Sequence, residues 1–217
     1  MSIVITFEIG ENAELITDNE YGILFETKFE NQEVKGTINI HKTGEELVVD
    51  EGTFSYKEIN LEGVKYNVYA KEDIYSATGK LKYKKDALVG TITTDKNGNG
   101  SIGNLYLGYY YLVEIESANN NMIDTKKYDV ALKYQDQYTP IISIKLELKN
   151  YLPKGTLDFT KTDFSESKTL SNTTIEVYTE NDELIYTGKT DENGKIIIEK
   201  MPTQVKDMKK LFHSLFS

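Results

Sequence analysis

The chain contains the same phrase twice. Residues 31–37 read NQEVKGT and continue to Lys42-Thr43, and residues 150–156 read NYLPKGT and continue to Lys161-Thr162. The offset is constant, since 150 − 31, 154 − 35 and 161 − 42 all equal 119. This period is longer than the roughly 20–50 residues of a solenoid repeat and suits a whole small domain. The sequence therefore predicts tandem domains, with one complete copy in the middle.

The two phrases divide the 217 residues into four predicted parts. Residues 1–34 are predicted to be the C-terminal remnant of one copy, 35–152 a complete domain, and 153–203 the N-terminal half of a following copy. Residues 204–217 do not match the repeat, and they place apolar side chains at helical spacing. For this amphipathic tail we favour a non-native end produced by truncation or a shifted reading frame. The alternative is a helix for a membrane or a partner.

Short segments that alternate apolar and polar residues indicate an all-β fold, because a period of two is typical of strands with one buried face. The predicted strands are 23–29, 37–42, 64–69, 88–94, 109–116, 126–134 and 141–149. Asn-Gly pairs at 97–98 and 193–194 predict tight turns. The 16 tyrosines suit strands, and the absence of cysteine excludes a disulfide scaffold. The pattern predicts an immunoglobulin-like β-sandwich.

Charge and motif content exclude several classes of function. With 35 acidic and 25 basic residues the net charge is −10, which disfavours nucleic acid and anionic membranes because both require clustered Lys and Arg. No apolar run reaches the roughly 18 residues of a membrane span. Residues 95–100 resemble the start of a calcium loop, but the twelfth position is Tyr106 where the loop requires Glu. We expect no metal, no cofactor and no enzymatic turnover.

Strand parity turns a lysine and an asparagine toward the predicted core. In the strand 37–42, Lys42 shares a face with two isoleucines, because successive side chains alternate. In the strand 141–149, the apolar face continues to Asn150. The same parity places Lys161 and Asn31 inward in the flanking parts.

An inward lysine beside an inward asparagine suggests a self-crosslinking reaction. Desolvation can lower the pKa of a buried lysine by roughly 3–5 units, and a neutral lysine is a nucleophile. An acid in the same apolar setting is expected to stay protonated, so that it can polarise the amide carbonyl and shuttle protons. Attack of the amine on the amide, with loss of ammonia, leaves an isopeptide bond.

Together these motifs resemble the collagen-adhesin B-type, or SpaA-like (prealbumin-like), domains of Gram-positive surface proteins and pilins. The matching frame is Lys-Gly-Thr-x-x-x-x-Lys-Thr, Leu-x-Gly-x-x-Tyr-x-Val-Tyr, Thr-Asp-x-Asn-Gly, Gly-x-Tyr-x-x-x-Glu and a closing strand that ends in Asn. In that family a first-strand Lys and a last-strand Asn form an autocatalytic isopeptide bond, promoted by a Glu. The resemblance implies Lys42, Asn150 and Glu114 here, with Glu116 as the fallback acid. Lys161 and Asn31 lack partners in their own parts and are expected to stay unlinked.

The resemblance also implies a function and a location. We expect a stalk module of a cell-wall-anchored or otherwise exported surface protein, with neighbouring repeats of the parent protein as partners and host extracellular matrix as a further candidate. The alternative is an adhesive module that contacts host protein or carbohydrate through exposed tyrosines at 109–111. Parity does not decide whether Glu114 faces the core, because both faces of its strand are apolar.

Overall fold

The computed structural model describes residues 33–203 except 137, 166 and 180, together with the backbone of two short strands before them. The chain divides into two compact units, Met1–Gln32 and Glu33–Ser217. Most of the predicted strand 23–29, Asn31 and the tail 204–217 lie outside the described residues.

Every regular element that the structure describes is a β-strand. In the first unit, β1 (Thr17–Asp18) pairs antiparallel with β2 (Gly22–Ile23). The second unit contains β3 (Lys35–Asp50), β4 (Thr53–Asn60), β5 (Lys65–Ala70), β6 (Ile74–Tyr75), β7 (Leu81–Tyr83), β8 (Leu88–Thr93), β9 (Asn99–Leu105), β10 (Gly108–Glu116), β11 (Lys127–Leu132), β12 (Ile141–Lys149), β13 (Lys154–Thr160), β14 (Thr174–Tyr178), β15 (Leu184–Lys189) and β16 (Lys195–Pro202). The all-β prediction is confirmed.

Two sheets form a sandwich in the second unit. One has the order β11-β10-β5-β8, and the other has the order β12-β3-β4 with β9 also paired to β3. The first strand of the sandwich, β3, and its last strand, β12, are parallel neighbours. They pair from Lys35↔Ile141 to Thr43↔Lys149. Alternate side chains of both sheets point inward and make one core, whose fully buried members include Ile38, Ile40, Tyr66, Tyr110 and Leu112.

Strand β3 is much longer than the predicted strand 37–42. Up to Thr43 it lies between β12 and β9, and every second side chain is buried. Beyond Thr43 it pairs only with β4, as far as Asp50↔Thr53, and the side chains become mostly exposed. The second half of β3 and β4 therefore form a hairpin that extends past the sandwich.

A second, smaller group of strands follows the sandwich. β13 pairs with β16 and β14 pairs with β15, both antiparallel. Their buried side chains form a hydrophobic cluster of their own, made of Ile175, Ile185, Ile196, Ile198 and Met201. The two predicted Asn-Gly turns are built alike, since the carboxylates of Asp95 and Asp191 each accept two backbone N–H bonds from the turn that follows.

Candidate crosslinking site

Three strands from the two sheets bring Lys42, Glu114 and Asn150 together in the core. Lys42 lies on β3 opposite Leu148 of β12, and Asn150 follows β12 directly, with its backbone N–H 3.0 Å from the carbonyl oxygen of Thr43. Glu114 lies on β10 in the facing sheet, on the same buried face as Tyr110 and Leu112. The structure therefore resolves the ambiguous parity of β10 in favour of an inward Glu114.

The side-chain contacts join all three residues. The Nζ of Lys42 donates to Oε2 of Glu114 at 2.9 Å and to Oδ1 of Asn150 at 2.6 Å. The Nδ2 of Asn150 donates to Oε1 of Glu114 and to Oγ of Ser117, the latter at 2.9 Å. Glu114 thus contacts both the lysine nitrogen and the amide nitrogen of the asparagine. The acid does not touch the amide carbonyl oxygen, which differs from the carbonyl-polarising role expected from the sequence.

The site is dry. The side chains of Lys42 and Glu114 are 0% exposed, and Asn150 is 2% exposed as a residue. Desolvation lowers the pKa of Lys42, against the opposing effect of its hydrogen bond to Glu114. Burial of a charge pair costs several kcal/mol per ion, so proton transfer from Lys42 to Glu114 across their contact relieves both charges together. The product of that transfer is a neutral amine beside an amide.

Two further residues complete the site, and neither was predicted from the sequence. Tyr66 on β5 is fully buried; its Oη accepts a hydrogen bond from Nζ of Lys42 at 2.7 Å and donates one to Oε2 of Glu114 at 2.7 Å. Burial raises the pKa of Tyr66, and the hydrogen bond to Glu114 raises it further, so its proton stays in place. Tyr66 and Ser117 together fix the orientations of the acid and the amide. In sequence, Tyr66 is the first tyrosine of the Leu-x-Gly-x-x-Tyr-x-Val-Tyr motif, but the motif alone assigns it no role in the site.

Glu116 and Lys161, two further candidate residues, lie outside this site. Glu116, the fallback acid, is at the surface and pairs with Lys65 at 2.7 Å, beyond a bulge in β10. Lys161 is half-buried, and its backbone is held in the same way as that of Lys42. The backbone N–H of Lys161 donates to the carbonyl oxygen of Gly194 at 2.8 Å, and that of Lys42 donates to the carbonyl oxygen of Gly98 at 2.7 Å. In the described residues, no hydrogen bond joins the Lys161 side chain to an acid or an amide. Asn31 lies outside the described residues.

The three tyrosines of the adhesive alternative are divided between the two faces of β10. Tyr110 is fully buried and its Oη donates to the carbonyl oxygen of Tyr106, so it does not reach a ligand. Tyr109 is 40% exposed. Tyr111 stacks on Tyr69 with ring centroids 5.2 Å apart.

Of the described residues, no group of three or more His, Cys, Asp and Glu side chains is arranged to hold a metal ion.

The turn at Gly98 packs against the backbone of Lys42. Gly98 has a φ of 73°, and a Cβ added there would lie 2.3 Å from the backbone carbonyl oxygen of Lys42. We expect Gly98→Ala to displace the strand at Lys42, to lower the free energy of unfolding by at least about 1 kcal/mol, and to slow crosslinking. Chemical denaturation and intact mass followed over time measure the two effects.

Gly63→Ala is the matched control. Gly63 also has a positive φ, 81°, but an added Cβ would meet nothing within 4 Å. It should therefore carry the backbone strain without moving Lys42, and crosslink at the parental rate. Equal crosslinking rates in the two variants would show that the Gly98 turn does not position the lysine.

Comparisons with known proteins agree with this fold. A family model described as SpaA, prealbumin-like fold domain, matches residues 36–147. The TIE protein of Bacillus anthracis is 26% identical, covers 78% of this chain and 26% of its own, and has a TM-score of 0.53. The minor pilin GBS52 of Streptococcus agalactiae is 21% identical, with coverage of 57% of this chain and 47% of the pilin and a TM-score of 0.38. The shaft pilin SpaA of Lactobacillus rhamnosus GG is 11% identical, with coverage of 77% and 83% and a TM-score of 0.35.

The chain spans about a quarter of the length of the TIE protein and about half of the minor pilin. No curated protein matches the chain.

Proposed function

The chain belongs to the SpaA family of prealbumin-like domains, and from that premise we propose that residues 35–152 form a stalk module held by an isopeptide bond between Lys42 and Asn150. The family is one of structural, pilin-type modules and not a class of enzyme. The flanking residues 1–34 and 153–203 are proposed to be parts of neighbouring repeats, which are then the partners of the module. The observation that carries the proposal is the contact of one buried acid, Glu114, with both nitrogens that the reaction exchanges.

The proposed reaction begins with a proton transfer. The ammonium of Lys42 gives one proton to Glu114, and the neutral Nζ attacks the side-chain carbonyl carbon of Asn150. The attacking nitrogen loses its second proton, and the amide nitrogen Nδ2 gains the proton that it needs to leave as ammonia. Glu114 accepts both protons from Nζ in turn and passes one of them to Nδ2, so ammonia leaves neutral and Glu114, ionised at the start, ends as the neutral acid. A single C–N bond forms and a single C–N bond breaks.

The geometry supplies most of what this reaction requires. Lys42 and Asn150 are held by adjacent parallel strands, so the attack is intramolecular and its entropic cost is met by folding. Tyr66 keeps Glu114 aligned with Lys42, and Ser117 keeps the leaving nitrogen toward Glu114. Exclusion of water favours the neutral amine and prevents competing hydrolysis.

Intact mass of the whole 217-residue chain tests the proposal. We expect the parent to weigh one ammonia less than its calculated mass, and fragmentation to place the branch between Lys42 and Asn150. Glu114→Gln is expected to keep the calculated mass, because general acid–base catalysis typically supplies about 10²–10⁴-fold in rate. Glu116→Gln, which removes a neighbouring surface acid, is the matched control and should lose ammonia like the parent.

Two results would contradict the crosslink. A parent chain at its calculated mass excludes the reaction, and a branch at Lys161 or Asn31 assigns it to other residues. Loss of ammonia in Glu114→Gln would remove Glu114 from the mechanism and leave the bond itself intact.

The family also bears on where the module acts. Pilin-like relatives are Gram-positive cell-surface proteins, and we propose an extracellular or cell-wall location for this chain. Among the residues that the structure describes, no helix is long and apolar enough to cross a membrane.

The adhesive alternative rests on Tyr109 and on the stacked pair Tyr69 and Tyr111 on the outer sheet face. Saturable binding to a matrix protein or glycan that is lost when these tyrosines are replaced by Ala would favour it.

A further inference from the structure

The hairpin formed by β3 and β4 has a role that neither the sandwich nor the crosslink requires. We propose that it is a brace that holds the strands β13–β16 in a fixed orientation on the sandwich. The surface it uses is the face of β15 and β16 nearest the hairpin tip. None of the bracing residues belongs to the crosslinking site.

The hairpin is an addition to the repeated pattern. Lys42 corresponds to Lys161 at an offset of 119, but Leu61 corresponds to Leu170 at an offset of only 109. Ten extra residues therefore lie between these positions in the sandwich, and the structure places them in the hairpin. The corresponding short segment is closed by a single bridge, Thr162↔Thr169. The corresponding segment of the following part thus has no such hairpin.

The tip of the hairpin binds the backbone of the following strands. The N–H of Thr187 on β15 donates to the carbonyl oxygen of Gly52 at 2.7 Å. Glu51 and Gly52 form the turn with positive φ values of 43° and 76°, which matches the twist of a tight hairpin. A Cβ at Gly52 would lie 2.8 Å from Cγ2 of Thr187, so a larger residue at the tip would clash with the Thr187 side chain.

The middle of the hairpin packs into the second hydrophobic cluster. Phe54 packs against that cluster, and its ring lies 6.3 Å from the ring of Tyr186. Tyr56, on the same face of β4, donates from Oη to the backbone carbonyl oxygen of Lys200 at 2.6 Å. The contact is therefore both apolar and hydrogen-bonded, and it reaches β15 and the end of β16.

The base of the hairpin holds the connection between the two groups of strands. The carboxylate of Glu45 accepts from Nζ of Lys154 at 2.6 Å and from the N–H of Leu152 at 3.1 Å. The backbone of Glu45 is itself fixed by the side chain of Asn121, through bonds of 2.9 Å and 3.0 Å. The Nζ of Lys154 also lies 4.0 Å from the ring centroid of Tyr56.

Contacts at the tip, middle and base of a hairpin are spread along its length, so they restrain rotation as well as separation. Domains joined by a short connection move relative to one another by default unless a sizeable interface prevents it. The brace supplies that interface here, and it makes this joint stiff. Where the segment has its short form, as between Lys161 and Leu170, no hairpin is present to form such an interface.

Distance measurement between two spin labels tests the brace in the full chain. The chain contains no cysteine, so Glu62→Cys and Glu192→Cys, both at exposed positions, give one labelled pair. We expect a single narrow distance distribution. Replacing residues 46–57 with Asn-Gly removes ten residues and closes β3 and β4 with a two-residue turn; the distribution should then widen about twofold or more.

A milder variant and a control keep the test independent of folding defects. Phe54→Ser with Tyr56→Phe removes the packing and the hydrogen bond and should also widen the distribution. Ser55→Ala, on the other face of β4, should leave it narrow. An unchanged width in both the shortened and the doubly substituted chains would overturn the brace. Intact mass of the same samples reports the crosslink separately, so failure of one proposal is distinguishable from failure of the other.

Discussion

Pulled from its two ends, the parent chain is expected to lengthen on unfolding by about 370 Å less than Glu114→Gln, because a fully extended chain gains at most about 3.5 Å per residue. The proposed bond between Lys42 and Asn150 closes a loop of 109 residues (150 − 42 + 1), which tension then cannot extend. Force passes from the first part of β3 through the crosslink to residue 150 and beyond. Single-molecule force spectroscopy measures the difference directly as contour length.

Glu116→Gln is the control for this measurement, because it changes a nearby acid on the surface and should extend like the parent. Equal contour lengths in the parent and Glu114→Gln would mean that no covalent shortcut exists in the parent. An intermediate population would instead report the fraction of molecules that have reacted, which intact mass of the same sample determines independently.

The second large effect is on equilibrium stability. By analogy with a disulfide that closes a loop of similar length, the crosslink is expected to contribute about 4–5 kcal/mol to the free energy of unfolding. For a chain of this size that corresponds to a change in Tm of about 10–20 °C. Denaturant and thermal unfolding of the parent and of the double variant Lys42→Met with Glu114→Gln measure it.

The double variant separates the crosslink from an ordinary buried ion pair. Removing one partner of a buried pair leaves an unpaired charge and costs about 3–5 kcal/mol whether or not a crosslink exists. Removing both charges together is often neutral or even stabilising by about 1–4 kcal/mol. A double variant as stable as the parent would therefore identify Lys42 and Glu114 as a structural ion pair. A loss near 4–5 kcal/mol supports the covalent bond.

The hydrophobic pattern of each strand decides which residues of the site the sequence can predict. On β3 and β12 apolar and polar residues alternate, so parity placed Lys42 and Asn150 inward, and the structure buries both. On β10 both faces are apolar, so parity left Glu114 undecided until the facing sheet was present. Tyr66 could not be predicted, because its role depends on the pairing of β5 with β10 and not on its own neighbours in sequence.

Two strands of the sandwich, β9 and β4, are not predicted from the sequence, for different physical reasons. β9 reads NGSIGNL, and its two glycines and two asparagines suppress the apolar alternation that identifies a strand. β4 turns the half-buried Phe54 and Tyr56 to one face, but the alternation breaks at Lys57 and Glu58, which are both exposed, and the outer half of β3 ends in a run of exposed residues, so neither carries a long period of two. They are stabilised by pairing with each other and by the strands that follow, which are long-range interactions that a local pattern does not contain.

In the proposed stalk, the parallel pairing of β3 with β12 sets the length that this sandwich adds between its neighbours. The chain comes in at one end of this pair and leaves at the other, and the nine paired positions advance it by about 30 Å, at roughly 3.3 Å per residue. Every other strand of the sandwich is folded beside this axis, between residues 44 and 140. Segments there can grow, as the ten-residue addition to the hairpin has, without altering the spacing of successive modules. The axial repeat of the proposed stalk can thus stay constant while its sides diversify.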